Sequence, residues 1–226
     1  DLVVARSATL AARYMAAGFV HGVLNSDNMN ITGESFDYGP WRFAPTWDPG
    51  FTAAYFDHQG LYAFGRQPEA IHWDVMQLAA SLRLIADSDP LVAALERFAT
   101  HYQAAVASAI LWRLGVQGRT PEADRVLVQT VERALRETGI SIDQFFFDVF
   151  GGVIPDGYAD GWDAVRDKLA EYRPRKSRNG DFWRGEACSM LIDEVEEIWA
   201  AIAERDDWTR LRSKVAAIRQ MGAALA

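Results

Sequence analysis

His21-Gly22-Val23-Leu24-Asn25-Ser26-Asp27-Asn28 is followed, nine residues on, by Asp37-Tyr38-Gly39-Pro40. Both runs fall between Phe19 and about Pro49, where Gly, Asn, Asp and Pro recur at short intervals and no helical period holds. Either run alone reads as a turn with Asx side-chain bonds. Together, in a loop cluster that interrupts helices, they are far more specific. Asn28 offers an uncharged carbonyl oxygen and Asp37 a carboxylate, hard ligands of the kind magnesium takes while keeping several waters. Asp27, beside Asn28, is placed to accept a proton from an attacking hydroxyl.

The spacing fits the catalytic loop and metal-binding turn of kinase-like ATP enzymes, in which H-R-D-x-x-x-x-N supplies a base and a metal ligand and D-F-G a second ligand. His21 takes the His position and Asn28 the Asn position, with Asp37-Tyr38-Gly39 in place of D-F-G. Val23 falls where the base belongs, which sets this chain apart from an ordinary phosphotransferase. His21 reads as a brace for the loop, since no Asp or Ser is spaced to make it a triad member.

Outward from the loop the pattern is helical. Val3, Leu10 and Tyr14 lie near helical spacing, and Gly18 can end that helix. Two short strands are expected near Asn30-Ile31 and Ser35-Phe36, and residues 51–67 are aromatic and irregular. Leu91, Leu95, Phe98, Tyr102 and Val106 predict one helix, opened by Asp89-Pro90 and closed by Gly115. Thr120-Pro121 opens another, which Gly139 can close. Ser141-Ile142-Asp143-Gln144 is a capping-box pattern leading into Phe145 to Phe150. A stripe from Trp162 to Tyr172 and two terminal helices complete the pattern, with Arg173 to Gly180 read as a solvated basic linker. The tryptophans at helical spacing read as core.

With 226 residues, half of them apolar, the chain can bury one good core or a large domain with a small appendage. A net charge of −8 argues against a general nucleic-acid binder. No apolar run is long enough to span a bilayer, and no signal peptide is visible, so no membrane partner is expected. The single cysteine, Cys188, excludes an internal disulfide framework and a multi-cysteine zinc site. It fits a reducing compartment such as the cytoplasm. His58, His72 and His101 share no metal-ligand spacing and read as packed or surface residues. Asp57-His58-Gln59-Gly60 reads as a turn beneath the active loop. Asp1 already lies in a helical pattern, so a piece of a longer protein is expected.

The run from Gly18 through Met29, then Asp37-Tyr38-Gly39-Pro40, closely resembles the selenoprotein O family, also called YdiU. Asp57-His58-Gln59-Gly60 and Gln67-Pro68 with Trp73 resemble it too, and the similarity is dense over residues 1–115 and thinner beyond. The resemblance implies a mainly α chain, the C-terminal lobe of a protein-kinase-like fold with a short β loop region carrying the motifs. It implies a kinase-like core at 1–115 with its catalytic and metal-binding loops, a helical extension packed on it at 116–226, and an N-terminal lobe outside this sequence. ATP then binds in a flipped orientation, and AMP, not phosphate, is transferred to Ser, Thr or Tyr hydroxyls of other proteins. By motif, Asp27 is the implied proton acceptor, and Asn28 and Asp37 the ligands of magnesium or manganese, with Asp37 also touching ATP. The glycine-rich segment, lysine and arginines that meet ATP lie upstream in the family, so this piece is expected to be inactive alone. The family's C-terminal redox-active cysteine or selenocysteine has no counterpart in Met221 to Ala226.

Three readings stand open on the sequence. The first is protein AMP transfer by the full-length parent. The second is phosphate transfer to a small molecule or protein, against which Val23 counts. The third is a kinase-shaped regulatory domain without catalysis.

Overall fold

Leu2–Ala17 forms helix α1, and Gly18 ends it in the left-handed conformation (φ 69°), its N–H reaching back to the carbonyls of Tyr14 and Met15. The computed structural model describes residues 1–226 and is mainly helical. Two strands follow, β1 (Phe19–Val20) and β2 (Arg42–Phe43), then α2 (Gln67–Leu82), α3 (Ser88–Leu95), α4 (Phe98–Leu114) and α5 (Pro121–Thr138). The remaining helices are α6 (Ile142–Val149), α7 (Asp163–Leu169), α8 (Ile192–Arg205) and α9 (Thr209–Leu225). No helix is long and apolar enough to cross a membrane. The chain divides into two units, residues 1–44, 48–110 and 120–128 in one, and 45–47, 111–119 and 129–226 in the other.

In the first unit α1 packs on α2. Val4, Ala8, Ala11 and Tyr14 of α1 meet Ile71 and Val75 of α2, with Leu24 and Phe98 joining them. Alanine on the facing side of α1 lets the two backbones approach closely, while Ile71 and Leu24 are essentially solvent-free. The strand pair is antiparallel, Phe19 opposite Phe43 and Val20 opposite Arg42.

The strands expected near Asn30-Ile31 and Ser35-Phe36 are not formed. Only the bridge Met29–Ser35 occurs there, closed by a turn in which Asn30 N–H bonds Glu34 O and Gly33 N–H bonds Asn30 O. Ile31 and Phe36 are exposed, so no buried face holds a longer ladder in register. Pairing occurs instead where Phe19 and Phe43 stack edge to face. The single helix expected across Leu91 to Val106 is two, α3 and α4, parted by a turn at Glu96-Arg97. That turn resets the helical phase, so Phe98 is buried while Leu91, Leu95, Tyr102 and Val106 are half-buried. Phe98 stacks on His72 at 4.5 Å.

In the second unit Phe145, Phe146, Phe147 and Phe150 are all buried, Phe145 stacked on Trp162 at 4.7 Å and Phe150 on Trp183 at 4.3 Å. The capping box expected at Ser141 is absent, since no side chain caps α6. The segment makes other contacts instead. The Ser141 backbone bridges Thr46 while Ile142 N–H bonds Pro45 O, Asp143 pairs with Arg113, and Gln144 bonds Asp148. The basic linker is mostly exposed, as expected, and its cations also tie it down. Arg175 and Lys176 donate to the carbonyls of Leu225 and Ala223 in the last turn of α9, and Arg178 donates to Asp148 O. Tryptophan burial is mixed: Trp47, Trp162 and Trp183 are core, whereas Trp73, Trp112, Trp199 and Trp208 are exposed.

Candidate functional site

His21 has no solvent exposure, and its ring ties the two motif loops together. Val23 N–H points at Nδ1 (3.4 Å), so Nε2 carries the proton and donates to Phe36 O at 3.0 Å. Burial lowers the His21 pKa below its usual 6.5, against opposing effects of the Phe36 carbonyl and Asp37. The ring is thus neutral near pH 7, with both nitrogens engaged. It braces the loop, as its place in the sequence suggests. Gln67, also fully buried, holds the adjacent backbone: Oε1 accepts from His21 N–H at 3.0 Å and Nε2 donates to Phe19 O at 2.8 Å.

Asn28 and Asp37 are brought near each other by the backbone. Phe36 N–H bonds Asn28 O at 3.1 Å, and Asp37 follows directly. The Asn28 side chain is buried, and its Nδ2 donates to Val23 O at 3.0 Å, leaving Oδ1 as the free end of the amide. Asp37 is exposed and adopts φ 60°, a left-handed conformation shared by one other non-glycine residue, the helix-capping Asp206. Aspartate is among the few non-glycine residues that visit this region readily as single positions. An amide oxygen and one carboxylate are the sparse protein set that magnesium accepts, with waters and phosphate oxygens completing the shell. No cluster of three His, Cys, Asp or Glu side chains exists for a metal that needs a full protein cage.

Gly22 lets the two loops close. It adopts φ +87°, and a Cβ there would lie 2.8 Å from Pro40 Cγ and 3.2 Å from Ala53 Cβ. Tyr38 lays its ring 5.1 Å from His21 and 6.0 Å from Phe19, and its hydroxyl donates to Ser35 O at 2.6 Å. Ser35 Oγ donates to Tyr38 Oη, and the Tyr14 hydroxyl bonds Ser35 Oγ in turn. Burial pushes the Tyr14 pKa upward. The turn is therefore anchored through its aromatic residue to α1.

Asp27 is exposed on the short 3-10 turn Ser26–Asn28. Beside that turn, Tyr62 donates its hydroxyl to Asn25 Oδ1. Asp57 accepts from the N–H groups of Leu61 and Tyr62, so the Asp57–Gly60 segment is a turn that seats Tyr62 beside the motif loop. His58 is exposed.

Sequence reasoning gave no role to Gln67, quoted only within the family-like run Gln67-Pro68, and missed Asp74 altogether. Asp74, on α2, is 4% exposed, and neither carboxylate oxygen has a hydrogen-bond partner. Burial, with Asp27 adding repulsion, pushes its pKa up to about 7. The one signal in the sequence was an acidic residue on the apolar side of a helix, three residues after Ile71 and one before Val75.

The model of a family described as protein adenylyltransferase SelO matches residues 1–154. Among curated proteins, the protein nucleotidyltransferase YdiU of Trichormus variabilis is 36% identical over 247 aligned residues, covering 97% of this chain and 50% of that protein. The protein of the same name from Synechococcus elongatus is 42% identical over 237, covering 92% and 48%. That of Azotobacter vinelandii is 37% identical over 147, covering 65% and 30%. The chain spans about half the length of the first two.

Proposed function

The chain belongs to the SelO family of protein adenylyltransferases, and from that premise we propose that the full-length protein transfers AMP from ATP to Ser, Thr or Tyr hydroxyls of other proteins. Residues 1–115 are in this reading a kinase-like C-terminal lobe carrying the motifs, and 116–226 a helical extension. The acceptor oxygen attacks the α-phosphorus, the bond to the β-phosphate oxygen breaks, and pyrophosphate leaves. Asp27 takes the proton from the acceptor hydroxyl. Asn28 Oδ1 and the Asp37 carboxylate would hold magnesium, and Asp37 would also meet the nucleotide. A divalent ion bound there offsets charge building on the phosphate oxygens. His21, Gln67 and Gly22 keep the two loops in register, so that these groups meet ATP without reorganising.

The observation that carries the reading is the pairing of Asn28 with the segment bearing Asp37 while Val23 occupies the ordinary base position. A base one residue from a metal ligand suits attack at the α-phosphorus of a flipped nucleotide. The test is mass spectrometry of acceptor proteins after incubation with the full-length protein, ATP and magnesium. AMP adducts on hydroxyl side chains are expected, and phosphate adducts in their place overturn the reading.

A further inference from the structure

Asp74 lines a cleft of about 240 Å³ between α1, α2 and the loop that follows Asp27. Ser7 contributes from α1, Ser26 and Met29 from the loop, and Gln77 and Leu78 from α2. The volume lies below the roughly 300–1,000 Å³ of pockets that hold drug-sized ligands, and suits one long side chain. No lysine or arginine lines it. The charged and titratable groups facing Asp74 are Asp27 and Tyr62, neither a cation.

A carboxylate nine-tenths buried with no partner is costly to keep, and a neutral donor relieves only the missing hydrogen bond. A cation supplies both the hydrogen bond and the opposite charge. The walls add the apolar surface of Met29, Val75 and Leu78 along which an aliphatic stem can lie. The cleft also starts at Ser26, the neighbour of Asp27.

Resting on the AMP-transfer reading, we propose that this cleft is a substrate subsite that takes a lysine or arginine side chain flanking the acceptor hydroxyl, its cationic head on Asp74. The enzyme then selects hydroxyls in basic sequence contexts. Asp74 is a specificity-determining group, and Asp27 works on the acceptor beside it.

Two measurements on the full-length protein test this independently. In the first, n-butylguanidinium and its neutral analogue n-butylurea are titrated against the protein, with binding followed by saturation-transfer NMR. The cation is expected to bind at least tenfold tighter, and Asp74→Asn to bring the ratio to about one. In the second, kcat/KM for AMP transfer is compared between peptides carrying arginine or norleucine beside the acceptor. A preference of tenfold or more is expected, falling to about one in Asp74→Asn. Gln77→Lys, which offers an ammonium three residues along the same helix, is expected to erase both ratios and guards against misfolding of the first variant. Equal binding of the two probes overturns the subsite, as does a ratio unchanged by both variants. Probe discrimination without peptide preference overturns the substrate assignment. Asp74-dependent probe binding with no AMP transfer to any peptide supports the subsite and removes the AMP-transfer reading. AMP transfer without either preference does the reverse.

Discussion

Asp37 holds a backbone conformation that asparagine tolerates better than most residues, so its charge can be removed without removing its shape. Asp37→Asn in the full-length protein should keep the fold and lower AMP transfer by more than tenfold, about 1.4 kcal/mol of transition-state stabilisation. A variant with unchanged melting temperature and near wild-type turnover contradicts its place as a metal ligand. Asp74 makes a prediction about stability. Its pKa is raised from 3.8 to about 7, so its folded-state contribution is fully present below about pH 4 and lost as pH rises through 7. The loss is at most about 4 kcal/mol, from about 1.4 kcal/mol per pH unit. Asp74→Asn should therefore flatten that part of the stability–pH curve and be more stable than wild type at pH 8. Chemical denaturation at pH 5 and pH 8 reads this directly, and parallel curves for the two proteins count against it.

Elements show where local signals prevailed and where tertiary partners overrode them. Helix α1 was legible from Val3, Leu10 and Tyr14 with Gly18 behind them, because period and cap agree. The strands were not, because two-residue strands leave no alternation to read, and what selects Phe19 and Phe43 is an aromatic contact across twenty-four residues. The capping-box pattern at Ser141 misled for a related reason, since its Gln144 bonds Asp148 at 2.9 Å, while Asp143 beside it pairs with Arg113 at 2.7 Å. That pair is largely buried, with Arg113 also 4.1 Å over the Phe146 ring. Arg113→Ala should cost about 3–5 kcal/mol by leaving Asp143 unpaired, measured as a fall in the denaturation midpoint. A change within about 0.5 kcal/mol contradicts the part given to the pair. Gly22→Ala belongs to the loop pair. Its left-handed backbone and the approach of Pro40 predict about 1–3 kcal/mol of destabilisation and reduced transfer together.

Over the whole molecule, the family was legible because its motif runs are specific in residue type and spacing. Their supports were not. Gln67 and Asp74 lie some forty residues beyond the loop they adjoin, and the packing of α2 against α1 and the Ser26–Asn28 turn brings them there. The chain's net charge of −8 and the unpaired carboxylate lining the cleft agree with a basic rather than acidic substrate segment. The central claim is that Asp27, not a residue at position 23, serves transfer from the α-phosphorus. Val23 has its N–H on His21 and its carbonyl on Asn28, with a half-buried aliphatic side chain between them. The most direct measurement supplies the full-length Val23→Asp and Asp27→Ala proteins with ATP labelled separately at the α- and γ-phosphates. The account predicts no γ-label on acceptor protein from Val23→Asp, and α-label from Asp27→Ala reduced by about 10²- to 10⁴-fold. A clear gain of γ-phosphate transfer in Val23→Asp, with α-label undiminished in Asp27→Ala, would contradict it.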